Sequence, residues 1–112
     1  MSIHNQGAEM AGFVQIIEYR TSKPDEVAAL MEEFRAKREA EGSGPAPVRG
    51  TSCADRDEPG RYFSIIEFNS YEEAMENSQR PDTTEMSERM MALCDGPGTF
   101  YNLDVQNRME FG

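Results

Sequence analysis

The sequence predicts an α+β protein with the ferredoxin-like order β-α-β-β-α-β and a four-stranded antiparallel sheet. A strand-like stretch at Phe13–Arg20 is repeated later in the chain, where Ile16-Ile17-Glu18-Tyr19 is echoed by Ile65-Ile66-Glu67-Phe68. Each copy leads through a hydroxyl residue into a helix-forming segment. A strand–helix unit used twice in a chain of 112 residues is typical of the split β-α-β plan.

Length and charge limit the possible classes of protein. The chain is long enough for one domain, which we place at residues 13–108 behind a flexible, polar tail at residues 1–12. A net charge of −10 repels phosphate, so neither nucleic acid nor an anionic membrane is expected as a partner. No apolar run is long enough for a membrane span, and the N-terminus lacks the pattern of a signal peptide. We therefore expect a cytoplasmic protein whose two cysteines are free thiols.

The first strand carries apolar residues on both of its faces. Phe13, Ile17 and Tyr19 alternate with Val14 and Ile16, and residues 61–69 show the same pattern. A strand with one solvated face would alternate apolar with polar residues, so both faces of this sheet are expected to be covered. The helices can cover one face, and a second copy of the chain is the simplest cover for the other. The sequence therefore predicts a homodimer.

The first helix is expected to begin at a capping box, Ser22-Lys-Pro-Asp25, and to run to about Ala40. Its apolar residues fall at helical spacing, at Val27, Leu30, Met31 and Phe34. The charged residues are expected on a solvated face, with Glu33 and Lys37 as an i,i+4 pair. Glycine and proline in residues 41–47 end the helix.

The second half repeats the pattern with a break. Residues 48–54 and 61–69 form a hairpin, and Ser70 caps a helix at Tyr71–Ser78. Pro81 interrupts the helix, which restarts at Thr83 or Thr84 and continues to about Cys94. Residues 100–107 alternate as a fourth strand, and residues 108–112 are a tail or an extension onto a partner.

The familiar catalytic motifs are missing from the sequence. There is no glycine-rich phosphate loop, no zinc-type cluster and no Ser–His–Asp or Cys–His pair, so no metal site is expected. The single histidine, His4, lies in the tail. It is either a solvated residue or a ligand or base that folds back over a site.

Three polar residues are the candidates for chemistry. Glu18 lies in an apolar strand, so it needs a partner, for which Arg20 is the candidate, or takes up a proton. It is either an ion pair or rim residue at the dimer contact, or a pocket carboxylate with a raised pKa. Asn77 and Arg80 flank the helix break, where they cap backbone groups or point at a ligand.

The aromatic and methionine residues have two readings as well. Tyr19, Phe68 and Tyr101 either line a cavity for a flat ligand or are ordinary core aromatics. Met75 and Met90 are either core residues or part of an adaptable pocket wall.

Several stretches together resemble the antibiotic-biosynthesis-monooxygenase-like superfamily, the dimeric α+β barrel proteins. They are residues 12–20, 24–34, 62–69 leading into Tyr71-Glu-Glu-Ala-Met75, the Asn77-Ser-Gln-Arg-Pro81 break, and residues 99–105. The resemblance implies a homodimer whose two sheets close into a barrel, with a small, often aromatic ligand held between sheet and helices. Some members are cofactor-free oxygenases, some are isomerases and some degrade haem. The haem-degrading members' functional positions fall near Glu18, Phe68 and Ser87-Glu88, where the residues differ, so no cofactor is expected.

Three functions remain open at this point. The first is a homodimer that binds an aromatic or apolar ligand without a catalytic motif, through Tyr19, Phe68, Met75, Met90 and Tyr101. The second is a cofactor-independent monooxygenase or isomerase, in which Glu18 accepts a proton while Asn77 and Arg80 hold an oxyanion. The third is a purely structural role, with methionines filling the cavity.

Overall fold

The computed structural model describes residues 12–42, 44 and 46–112, and it shows the predicted order of elements. His4 and the rest of the predicted tail up to Ala11 lie outside the described residues. The elements are β1 (Phe13–Arg20), α1 (Pro24–Glu41), β2 (Arg49–Ala54), β3 (Arg61–Phe68), α2 (Tyr71–Ser78), α3 (Pro81–Ala92) and β4 (Thr99–Asp104). The predicted helix break is therefore present, between α2 and α3.

The four strands form one antiparallel sheet in the order β2-β3-β1-β4. This order places the two repeated strands, β1 and β3, side by side in the middle and leaves β2 and β4 at the edges. The predicted ferredoxin-like α+β fold is confirmed.

One side of the sheet, called here the helix face, packs against all three helices. Its core forms two clusters of buried residues. The first cluster joins Tyr19 of β1 to Val27 and Leu30 of α1 and Met90 of α3. The second joins Phe13 and Phe68 to Ala74 of α2. The predicted apolar stripe of α1 thus supplies the first cluster.

The opposite side, called here the open face, carries the side chains of the alternate residues of each strand. The register places Val14, Ile16 and Glu18 of β1 beside Phe63, Ile65 and Glu67 of β3 and beside Tyr101 and Leu103 of β4. Tyr101 and Leu103 remain 42% and 45% exposed. The two-sided apolar character predicted for the central strands is therefore real, and the helices cover only one side of it.

The start of α1 differs from the prediction. Lys23 occupies the N-cap position without a side-chain hydrogen bond, and Ser22 is exposed. The buried Thr21 hydroxyl instead accepts a hydrogen bond from the Lys23 N–H (2.9 Å) and donates one to the Leu93 carbonyl (2.6 Å). The predicted Ser22 capping box is wrong, because the hydroxyl one residue earlier is the one that faces the core.

The first residues of α2 and α3 were also predicted from capping and proline signals. Ser70 caps α2 as predicted, accepting a hydrogen bond from the Glu73 N–H (3.1 Å). Helix α3 begins at Pro81 rather than at Thr83 or Thr84, because proline is tolerated in the first turn, where its missing N–H is not needed. No helix in the described part of the chain is both long and apolar enough to cross a membrane.

Candidate functional site

An incompletely covered part of the helix face lies over β1 and β4, between the two core clusters. We call this surface the amide gap; it consists of Gln15, Ile17, Ile66, Phe100 and Asn102. Gln15 lies opposite both Ile66 and Asn102, and Ile17 lies opposite Phe100. Every residue of the edge strand β4 is exposed, and Phe100 is 53% exposed. The helices therefore leave the β4 edge of this surface largely exposed.

A pair of neutral amides lies at the centre of the gap. The Gln15 Nε2 donates a hydrogen bond of 3.0 Å to the Asn102 Oδ1. Apolar side chains flank the pair, since Ile17 packs against the first cluster and Ile66 against the second. The pair is exposed and offers hydrogen bonds beside apolar side chains, two kinds of contact that small-molecule sites combine.

The strands supply almost no charge to this side. On the strand positions that share the helix face, the charged residue is Asp104, next to Asn102 along the edge of β4 and opposite Phe13. No lysine or arginine occupies a helix-face position of the four described strands. Such a surface suits a neutral ligand better than an anion, because a carboxylate would lose its hydration without gaining a counter-charge.

Four of the five predicted ligand-binding residues lie on the helix face. Tyr19 and Met90 are buried in the first cluster, and Phe68 is buried in the second, against which Met75 packs. Tyr19 also stacks on Tyr62 at 5.7 Å between ring centroids, and burial raises the pKa of the Tyr19 hydroxyl. These residues surround the amide gap, although their burial also fits a purely structural role.

Tyr101, the fifth, lies on the open face with Glu18. Its hydroxyl is 3.0 Å from the Glu18 Oε1 and donates a hydrogen bond to it. This hydrogen bond to a carboxylate raises the pKa of Tyr101. The sheet therefore separates Tyr101 from the other predicted ligand-binding residues.

Glu18 forms an ion pair, but not with the predicted partner. The Arg61 Nε lies 3.1 Å from the Glu18 Oε2, whereas Arg20 pairs with Glu58 in the turn after β2. The prediction of Arg20 was wrong because it considered spacing along one strand, while the neighbouring strand β3 brings Arg61 into reach. The alternative of an ion pair on the open face is the one seen in the structure.

Asn77 and Arg80 belong to a polar network that joins α1 to the helix break. The network is centred on Arg38, whose side chain is only 7% exposed. Arg38 donates to the Asn77 Oδ1 (2.6 Å), to Asp82 (3.0 Å) and to the Thr83 hydroxyl (2.6 Å). Arg80 pairs with Asp82 at 3.1 Å and with Glu41 at 2.5 Å.

This network has a measurable electrostatic signature. Hydrogen bonds from Arg38, and to a lesser degree from Arg80, lower the pKa of Asp82 to about 2. Sequence reasoning placed Arg38 on the solvated face and so missed its role. The available signal was its position four residues after Phe34, which continues the apolar stripe, and its guanidinium lies 4.5 Å from the Phe34 ring centroid.

The three residues predicted to be catalytic do not converge. Glu18 points to the open face, whereas Asn77 and Arg80 lie among the helices on the other side of the sheet. A single substrate atom cannot contact all three within one protomer. Whether any of them contacts a ligand stays a prediction.

A separate cleft of about 410 Å³ lies between α1 and α3. It is lined by Ala29, Leu30, Ala92 and Leu93, with Glu26, Glu33 and Arg89 at its edges. Glu33 forms its ion pair across this cleft with Arg89 (2.6 Å), and its predicted i,i+4 partner Lys37 contributes a smaller electrostatic attraction. In the described part of the chain, no group of three or more His, Cys, Asp or Glu side chains is placed to hold a metal ion.

No family model matches this sequence, and no curated protein matches it either. The fold, in contrast, is similar to that of several solved structures. SnoaB, a cofactor-independent oxygenase from Streptomyces nogalater, aligns with a TM-score of 0.72 and 14% identity over 88% of this chain and 97% of its own. A Caulobacter crescentus CB15 protein whose name assigns it to the antibiotic biosynthesis monooxygenases aligns with a TM-score of 0.70 and 15% identity over 93% and 99% of the two chains.

A hydroxynitrile lyase from Passiflora edulis aligns almost as well, with a TM-score of 0.69 and 12% identity over 90% of this chain and 99% of its own. The chain therefore has the fold of the antibiotic-biosynthesis-monooxygenase-like proteins, as its resemblance to them implied. An oxygenase and a lyase share this fold, so at these identities the likeness defines the architecture and leaves the reaction open.

Proposed function

We propose that this protein is a homodimer in which each protomer binds a small, neutral aromatic or apolar molecule between sheet and helices, without a cofactor. The observation that carries the proposal is the Gln15–Asn102 amide pair within an apolar, incompletely covered surface. The same proposal places the protein in the cytoplasm, where the unpaired thiols of Cys53 and Cys94 stay reduced.

The chemistry of the amide gap defines the class of ligand. The hydrogen bond between the two amides uses one donor of Gln15 and the oxygen of Asn102. It leaves the Asn102 N–H groups as donors and the Gln15 oxygen as an acceptor. These groups match a ketone or a phenol, while Ile17 and Phe100 provide apolar contact for a ring.

Calorimetric titration with 2-naphthol and 2-naphthoate tests this proposal directly. The neutral phenol is expected to bind, and the anion of similar shape to bind at least about tenfold more weakly, because the surface offers no counter-charge. Gln15→Leu should weaken 2-naphthol binding about tenfold by removing a polar partner. Gln79→Leu, an exposed site on the end of α2, is the matched control and should not change it. Equal affinity for Gln15→Leu and wild type would contradict the proposal.

The open face supports the homodimer. Its centre is apolar, and its charged residues balance: Arg20, Arg49, Arg61 and Arg108 pair with Glu18, Asp55, Glu58 and Glu67. The chain as a whole carries a net charge of −10. A second copy therefore meets a neutral, apolar surface here, and like-charge repulsion between open faces is small.

A cofactor-independent monooxygenase is the second candidate, favoured by the likeness of the fold to SnoaB. In such a reaction an aromatic substrate would give up two hydrogen atoms, with one atom of O₂ entering the product and the other leaving as water. On the helix face of the described strands, the carboxylate that could take up the substrate proton is Asp104, at the end of the exposed edge strand β4 and opposite Phe13, which is why binding comes first. Oxygen uptake with anthrone above its rate of autoxidation, together with a mass shift of the product, would favour the enzyme.

A further inference from the structure

The cleft between α1 and α3, called here the helix cleft, has an apolar base and is open to solvent. Leu30 of α1 is buried at this base, and Leu93, at the end of α3, is half-buried beside it. Ala29 and Ala92 are exposed at the two sides of the cleft, one on each helix. Because their side chains are short, a space of about 410 Å³ stays open between the helices, near the lower end of the range for small-molecule sites.

The two ends of the helix cleft differ in charge. At one end, Glu33 forms an ion pair of 2.6 Å with Arg89, so these two charges balance each other. Glu26 lies at the other end, seven residues earlier on α1, which is roughly 10 Å along the helix axis at about 1.5 Å per residue. The structure pairs the Glu26 carboxylate with none of the described lysines or arginines. The cleft therefore combines an apolar base with one uncompensated negative charge.

The charge of the cleft selects the sign of a ligand. The chain as a whole carries a net charge of −10, so an anion is repelled from its surface and a cation is attracted. An ammonium group beside Glu26 would gain a counter-charge, while an apolar body attached to it would cover Leu30 and Leu93. The helix cleft therefore suits a cation with an apolar body, in contrast to the neutral ligand of the amide gap.

The first core cluster separates the helix cleft from the amide gap. Leu30 belongs to this cluster and Leu93 packs against it around Tyr19, whereas Ile17 of the amide gap packs against the same cluster. The open face lies on the opposite side of the sheet from both helices. Neither a ligand in the amide gap nor a second copy on the open face would therefore cover the helix cleft.

We propose that the helix cleft is a second binding site, which takes a primary arylalkylamine in its protonated form. The ammonium lies at Glu26, and the ring packs on Leu30 and Leu93 as far as the Glu33–Arg89 pair. Alkylamines are protonated at pH 7, since their pKa is close to that of lysine, about 10.4. The distance of roughly 10 Å between the two ends matches a phenyl ring joined to an amine through about four methylene groups. This site is independent of the proposed function.

Titration of the ¹⁵N-labelled protein with 4-phenylbutylamine, 4-phenylbutanol and 4-phenylbutanoate, followed by NMR, tests the inference. These probes share one apolar body and differ in charge. The amine is expected to bind at least about tenfold more tightly than the carboxylate, with the alcohol between them, because Glu26 attracts one charge and repels the other. The shifted amide signals should belong to residues 26–33 and 89–93. Equal affinities of amine and carboxylate, or shifts spread over the acidic residues of all three helices, would overturn the site.

Matched variants assign the two parts of the site. Glu26→Gln should weaken amine binding about threefold, whereas Asp25→Asn, which removes the same charge from an exposed neighbour outside the cleft, should not. Ala92→Phe should abolish binding by filling the cleft, and Ala36→Phe, exposed on α1 outside the cleft, is its control. Unchanged binding in Glu26→Gln and Ala92→Phe would contradict the proposal.

Competition separates this site from the one in the proposed function. Saturating 2-naphthol is expected to leave the affinity for 4-phenylbutylamine unchanged, because the first core cluster lies between the two surfaces. Displacement of the amine by 2-naphthol would place both molecules in one site and would overturn the second site alone. Amine binding in a protein that does not bind 2-naphthol would uphold the helix cleft and contradict only the proposed function.

Discussion

At the residue scale, Asp82 is the group whose charge the fold protects most clearly. It receives hydrogen bonds from both Arg38 and Arg80, and its pKa is lowered from 3.8 to about 2. A carboxyl group with a depressed pKa in the folded state stabilises the protein above its unfolded pKa. This stabilisation is lost as the pH falls from about 4 through about 2.

Asp82→Asn should therefore lower the free energy of unfolding at pH 7 by about 2 kcal/mol, given roughly 1.4 kcal/mol per pKa unit. Urea unfolding followed by circular dichroism at pH 7 and at pH 2.5 measures the effect. The difference between wild type and variant is expected to shrink at the lower pH. Asp57→Asn, in the exposed turn before β3, serves as the control and should cost little at either pH. A difference that is the same at both pH values would argue against a charged Asp82 in the network.

A second prediction concerns Thr21, at the junction of β1 with α1. Its hydroxyl joins the start of α1 to the end of α3 through Lys23 and Leu93. Thr21→Val keeps the shape but leaves a partly buried carbonyl and a backbone N–H without their partner, so it should destabilise the protein by about 2 kcal/mol. Ser22→Ala, next to it and exposed, should change the stability by less than about 0.5 kcal/mol. The reverse ranking in thermal unfolding would restore the capping box that the sequence predicted.

At the scale of elements, what could be predicted depended on how local the signal was. Strand alternation, the Ser70 cap and the break at Pro81 each depend on a few neighbouring residues, and all three are present in the structure. Side-chain pairs between elements were not predictable in the same way. Gln15 and Asn102 are 87 residues apart and Arg38 and Asn77 are 39 residues apart. Such pairs depend on the register of the sheet and on the packing of helices.

The assignment of strand faces to the helices was also only partly predictable from the sequence. Periodicity correctly divided β1 into two apolar sides, but nothing in the sequence said which side the helices would cover. Glu18, Asn77 and Arg80 were therefore combined into one site although the sheet lies between them. Once the register is known, the alternation of side chains along β4 places Tyr101 on the open face and Phe100 and Asn102 on the helix face.

At the scale of the whole molecule, the open face should control assembly. Ile65→Lys puts a charge at the centre of this face, opposite Ile16, and should convert the proposed homodimer to a monomer because a buried, unpaired ammonium is strongly disfavoured. Light scattering at micromolar concentration measures the change. Met91→Lys, on the exposed side of α3, should leave the dimer intact. Persistence of the dimer in Ile65→Lys would mean that the two copies meet through another surface.

Cys53 is a chemical reporter of the proposed homodimer. It is exposed on the open face, where it lies opposite Phe63. The other cysteine, Cys94, is partly buried at the end of α3, and burial raises the pKa of its thiol, so it reacts slowly with alkylating reagents. Alkylation of the native protein should thus slow at Cys53 as the protein concentration rises, while Cys94 keeps a constant rate. The ratio of the two rates, read from peptide masses, follows the fraction of chains whose open faces are paired.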